Sequence, residues 1–204
     1  MRRKTPLHFL MFLAIPAALC VGGCGGSVNR MQDVSVPDAK GEMIQPLAGV
    51  GDRPATVLLF ITDDCPITNA FAPEINSIVT EYEPRGVAFY AVMVDPWLSP
   101  VEAQKYATDF NYKCPVLMDQ QHELVKAVGA AVTPEVAVIS ATGEVVYRGR
   151  IDDRYVDFGK KRLDPGRRDL RIALDEVLAG ERVTVSRAPA VGCYIPDAAE
   201  QSDE

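Results

Sequence analysis

Three observations predict an α/β domain built on a central mixed sheet of about five strands flanked by helices. Two apolar, β-branched runs, 56–61 and 87–94, lack strict alternation, as strands buried on both faces do. Each is followed by a segment whose apolar residues recur at helical spacing. Two further runs, 136–140 and 144–149, are separated by only Ala141-Thr142-Gly143, too little for a crossover helix, so they pair antiparallel.

The chain starts with Arg2-Arg3-Lys4, a mostly apolar stretch from Leu7 to Val21, and Val21-Gly22-Gly23-Cys24. Charge, apolar core and small residues in that order read as an export signal. The ending resembles a bacterial lipoprotein signal, which implies cleavage after residue 23 and lipidation of Cys24. Cys20, preceded by Leu19, is the poorer acceptor. A plain secretory peptide or an uncleaved anchor are the alternatives. The expected location is the bacterial cell envelope, lipid-anchored and periplasmic or extracytoplasmic, and Gly25 after Cys24 leans weakly toward an outer membrane. Nothing after residue 24 is long and apolar enough to span a bilayer. Losing the signal removes three positive charges and no acidic ones, taking the formal charge from -7 to -10. Such a balance argues against nucleic acid as a partner.

Residues 24–33 are polar and glycine-rich and read as a tether, residues 34–182 as one domain, and 183–204 as a tail carrying Cys193. Within the domain, the strand at 56–61 leads through Asp63-Asp64-Cys65 into a helix over 66–82, where Phe71, Ile75, Ile78, Val79 and Tyr82 share a face. The strand at 87–94 follows, then a weaker helix at 100–110 through Ala103, Tyr106, Ala107 and Phe110. A short strand at 115–118 and a short helix at 122–128, stopped by Gly129, precede the hairpin. Asp164 as N-cap and Pro165 at the first helical position predict a last helix running to Gly180, with Leu170, Ala173, Leu174, Val177 and Leu178 on one face.

Cys65 ends a strand and opens a helix, where unpaired N–H groups and the helix dipole favour the thiolate, the reactive form of cysteine. Asp63 and Asp64 oppose that effect, and the sign of the balance is open. Discounting Cys20 and Cys24 leaves Cys65, Cys114 and Cys193, an odd number in a compartment that permits disulfides. His122 is the only histidine of the mature chain, which argues against three-histidine zinc sites and gives little support to a Cys-His protease. No cofactor is expected.

Asp64-Cys65-Pro66, Thr133-Pro134 and Gly192-Cys193-Tyr194-Ile195, in that order, resemble the thioredoxin fold in its redoxin form, specifically peroxiredoxin-like lipoproteins of the alkyl hydroperoxide reductase/thiol-specific antioxidant type. The likeness covers roughly 34–182. It implies that Cys65 is the active cysteine, that Pro73 kinks its helix, and that Pro134 is a cis-proline whose preceding residue, Thr133, pairs with an incoming thiol substrate. Thr68 stands where a thioredoxin has its second cysteine. Thr62 matches the hydroxyl residue three before a peroxidatic cysteine, but Leu58 replaces the proline seven before, and Pro134 occupies the peroxidatic arginine's place.

Two cysteines compete to answer Cys65. Cys114 opens a strand at the opposite edge of the sheet, roughly 13–17 Å away at about 3.3 Å per residue, whereas a disulfide needs Cα atoms within about 7 Å. Cys193 lies about 14 residues beyond the last helix, a reach of up to some 45 Å, and Val191-Gly192 and Ile195-Pro196 read as a segment that docks. It is either the resolving thiol or an idle cysteine in an ordered tail. The expected activity is thiol–disulfide exchange on a disulfide-bearing protein, or peroxide reduction, through Cys65, with an external thiol reductant. The alternative is a non-enzymatic module that holds a soft metal such as copper(I) or a protein partner. The basic run 147–162 is either an anion-binding surface, a relocated source of the missing arginine, or a salt-bridged loop, and Trp97 either covers the active edge or packs.

Overall fold

The computed structural model describes residues 31–196. The signal, Cys24, most of the tether and residues 197–204 lie outside them.

In chain order the elements are β1 (Val36–Pro37), β2 (Met43–Ile44), β3 (Ala55–Ile61), α1 (Pro66–Tyr82), β4 (Ala88–Met93), α2 (Pro100–Asp109), β5 (Val116–Met118) and α3 (Glu123–Val128). Then follow β6 (Val132–Thr133), β7 (Glu135–Ser140), β8 (Val145–Gly149), β9 (Tyr155–Asp157), β10 (Lys160–Lys161), α4 (Asp169–Leu178), β11 (Arg187–Ala188) and β12 (Cys193–Tyr194). The main sheet has the order β11-β8-β7-β3-β4-β5. β3, β4 and β5 run parallel, β7 is antiparallel to β3 and β8, and β11 adds parallel to β8.

Every residue of β3 is buried, which places it at the centre of the sheet and explains its lack of alternation. Its pleat still sorts side chains: Val57, Leu59 and Ile61 join one core with α1, α2 and α4, while Leu58 and Phe60 join a second with α3 and Leu47. Full burial of such a side chain stabilises the fold by roughly 1.5–3 kcal/mol. Ser99 caps α2 through a reciprocal capping box with Glu102. Pro73 sits within α1 and withholds the N–H that would bond the Asn69 carbonyl.

The sixth strand, β11, comes from the segment after α4, which sequence periodicity does not mark. It docks over Gly149, where a Cβ would lie 2.0 Å from the Ala188 carbonyl oxygen.

One element departs from expectation. The last helix begins at Asp169, not at Asp164-Pro165. The Arg167 backbone is instead pinned to Asp153: the Asp153 N–H donates to the Arg167 carbonyl at 3.0 Å, and the Arg167 N–H donates to Asp153 Oδ1 at 2.9 Å. Helical geometry starts only where buried Asp169 can take Arg150 and Arg167 at 2.7 and 2.6 Å.

Candidate active site

Strand β3 delivers the chain to Cys65, which is the N-cap residue of α1 with extended backbone (φ -85°, ψ 112°), and Pro66 takes the first helical position. The cysteine is 0% exposed. Its Sγ lies 3.2 Å from the Thr133 carbonyl, to which the thiol donates, and 2.8 Å from Cys193 Sγ, which donates to it. The Thr133–Pro134 peptide is cis.

Cys193 is brought there by backbone pairing. β12 runs antiparallel to β6 with Cys193 opposite Thr133 and Tyr194 opposite Val132, and the Ile195 N–H donates to the Ala131 carbonyl at 3.1 Å. Gly192 makes this approach feasible, since a Cβ there would lie 2.0 Å from the Thr133 carbonyl oxygen. Cys114 lies before β5, at the opposite end of the sheet from the Cys65 edge because β3, β4 and β5 are parallel. The three cysteines are free thiols.

The thiols next to each other have opposite proton affinities. Burial disfavours the Cys65 thiolate, but hydrogen bonds from Cys193 and from the Thr68 N–H and hydroxyl outweigh it, and the net shift is downward. Cys193 is pushed up to about 12 by burial, by its hydrogen bond to Cys65, by the Cys65 charge and by Asp64. Burial alone dominates at Cys114, also pushed up to about 12.

The Thr62 hydroxyl donates to Asp64 Oδ1 at 2.8 Å. Two residues of the site escape sequence reasoning. Asn69 Nδ2 donates to the Asp63 carbonyl at 3.0 Å, and the Tyr106 hydroxyl donates to Asn69 Oδ1 at 2.7 Å, so α2 buttresses the loop before Cys65. No local pattern encodes that link between two helices.

The main influences on Cys65 are burial and the hydrogen bonds of Cys193 and Thr68. The basic run is instead salt-bridged: Arg148 to Glu135 at 3.3 Å, Arg150 to Asp169, Arg154 to Asp152 at 3.0 Å, Lys160 to Asp157 at 3.5 Å, and Arg162 to Asp153. His122 Nε2 lies 2.7 Å from the Val94 carbonyl oxygen. Among the described residues no group of three or more His, Cys, Asp or Glu side chains is placed to hold a metal ion. Trp97 is 65% exposed and flanks a cleft of about 280 Å³ that reaches Cys193. A larger depression of about 980 Å³ lies between Ser140–Val145 and Gly180–Thr184, at the end of the sheet away from the thiols.

A central β3 flanked by β4 and β7, with a cysteine opening a helix against a cis-proline, defines a thioredoxin-fold redoxin. The AhpC/TSA family model matches residues 28–148, and the chain belongs to that family. It is 30% identical to a hypothetical protein from Sinorhizobium meliloti 1021, with a TM-score of 0.70 over 81% of this chain and 91% of that one. An uncharacterized conserved protein from Geobacillus kaustophilus is also 30% identical, with a TM-score of 0.68 over 79% and 86%. A secreted Mycobacterium tuberculosis disulfide oxidoreductase homologous to E. coli DsbE shares the fold at 17% identity and a TM-score of 0.50, over 74% and 98%. No curated protein sequence matches the chain.

Proposed function

We propose that this protein is an exported, Cys24-lipidated thiol–disulfide oxidoreductase in which Cys65 is the nucleophile and Cys193 the resolving thiol. The observation that carries the reading is the pair itself: two sulfurs 2.8 Å apart, one with a lowered and one with a raised pKa. The Cys65 thiolate attacks one sulfur of a substrate disulfide, and the other sulfur leaves as a thiolate. Cys193 then loses its proton and attacks the Cys65 sulfur, forming the Cys65–Cys193 bond and releasing the second substrate thiol. An external thiol reductant resets the pair. Because Cys65 is fully covered, the docked tail must lift for the first attack.

Peroxide is the second substrate class. Cys65 would attack a peroxide oxygen to give a sulfenic acid, which Cys193 would resolve with loss of water. Exchange is preferred, since the site holds a cis-proline and, among the described residues, no lysine, arginine or histidine lines the cleft at the thiols. Export and anchoring rest on the sequence of residues 1–24. Among the described residues no helix is long and apolar enough to cross a membrane.

The test is disulfide mapping of the mature protein after one equivalent of hydroxyethyl disulfide. A Cys65–Cys193 peptide is expected, with Cys65→Ser lowering exchange by at least about a hundredfold. Thiols that stay unreactive, or copper(I) that copurifies with them, would move the protein to the binding class.

A further inference from the structure

The cleft beside the thiols differs in makeup from an ordinary stretch of surface. Cys193, Thr133, Asp64, Asp95, Trp97 and Tyr194 are among the residues that line it. Those aromatics are 65% and 85% exposed, and among the described residues no lysine, arginine or histidine lines the cleft.

Two features of this cleft point to a ligand. Cys193 opens on it while Cys65 does not, so in the oxidised protein the sulfur within a visitor's reach is Cys193. Two carboxylates and two aromatic rings without a neighbouring base attract a cation by charge and by ring quadrupole.

We propose that this cleft is the access site for the reducing thiol and that it selects small aminothiols over anionic thiols. The inference rests on the Cys65–Cys193 couple proposed above. An aminothiolate enters with its ammonium group toward Asp64 and Asp95. Its sulfur attacks Cys193 Sγ, a bond forms between ligand and Cys193, the Cys65–Cys193 bond breaks, and the electron pair leaves on Cys65 as thiolate. Cys65 is the better leaving group of the two, because lower-pKa thiols leave faster. A second aminothiolate attacks the ligand sulfur, the ligand departs as its disulfide, and Cys193 takes up a proton. Two thiols are oxidised and one protein disulfide is reduced. An anionic thiolate brings two negative charges to the same carboxylates and is disfavoured.

The experiment reduces the oxidised mature protein with cysteamine, 2-mercaptoethanol and 3-mercaptopropionate, which place an ammonium, a hydroxyl or a carboxylate on the same two-carbon thiol. Rates are expressed per thiolate and divided by the rate of each probe on hydroxyethyl disulfide. The normalised rate for cysteamine is expected to exceed that for 3-mercaptopropionate by about tenfold at low ionic strength. That ratio should shrink in about 0.5 M salt, where the Debye length is only a few ångströms. It should also fall toward one in D64N/D95N, whose amide at position 64 can still accept from Thr62. Equal normalised rates, or a ratio that neither salt nor D64N/D95N alters, overturn the inference and leave the redox couple standing. A Cys65–Cys193 bond that none of the three probes reduces would instead sink the redox couple itself.

Discussion

At Cys65 hydrogen bonds from Cys193 and Thr68 favour the thiolate against its burial. Thr68, in the position where a thioredoxin carries its second cysteine, lowers the Cys65 pKa through its backbone N–H and its buried hydroxyl without offering a second nucleophile. Thr68→Val keeps the shape and removes that hydrogen, so the Cys65 titration, followed by thiolate absorbance at 240 nm, should move to higher pH. A midpoint that stays put would remove the hydroxyl from the thiolate's environment. Cys65, Cys193 and Pro134 were legible because each sits in a short motif at a structural boundary. Asn69 and Tyr106 were not, since their bond depends on how α2 packs against the first turn of α1. The Asp63-Asp64 pair was legible as charge but not in direction. Asp64 bonds to Thr62 and raises Cys193, and the Asp63 contact to Asn69 runs through its backbone carbonyl.

The decisive element is β12, two residues long and held by a glycine. Gly192→Ala places a methyl group against the Thr133 carbonyl and should push β12 off β6. Iodoacetamide labelling of Cys65 in the reduced protein is then expected to rise on the order of tenfold, as a covered thiol becomes open by local unfolding. Unchanged labelling would mean that the tail does not guard the thiol. β3, β4 and the β7–β8 hairpin were readable as apolar runs with a turn signal, and α1 as a periodic face. β6, β11 and β12 are too short for any period to register. The start of α4 was misread because Asp164-Pro165 is a strong local cap signal, and tertiary hydrogen bonds from Asp153 overrule it.

For the molecule as a whole, the thiols link stability to pH. Cys114 and Cys193 keep their protons in the folded state to about 12, whereas the unfolded chain releases them near the ordinary thiol value of 9.0. The unfolded state therefore binds fewer protons in that window, and the reduced protein loses stability as pH rises from about 9 toward 12. Cys65 acts in the opposite sense: its lowered pKa contributes stability above the ordinary thiol value, lost as pH falls through the folded one. Urea denaturation at pH 8 and pH 10.5 should show the loss, and it should be smaller in Cys114→Ala. Equal losses in the two proteins would show that Cys114 is not proton-linked to folding. Buried tyrosines such as Tyr82 and Tyr106, pushed up to about 12, add to the slope in both and cancel from the comparison.

The pairing of β12 with β6 also makes the tail a tethered competitor. β11, held against β8, anchors the tail, so only residues 189–192 separate that anchor from β12 and hold β12 at the β6 edge at an effective concentration on the order of millimolar. Any extended peptide seeking the β6 edge must outbid a strand that never diffuses away, so weak and random partners are filtered out. The same occupancy hides an unpaired strand edge from neighbouring copies, which could otherwise associate edge to edge.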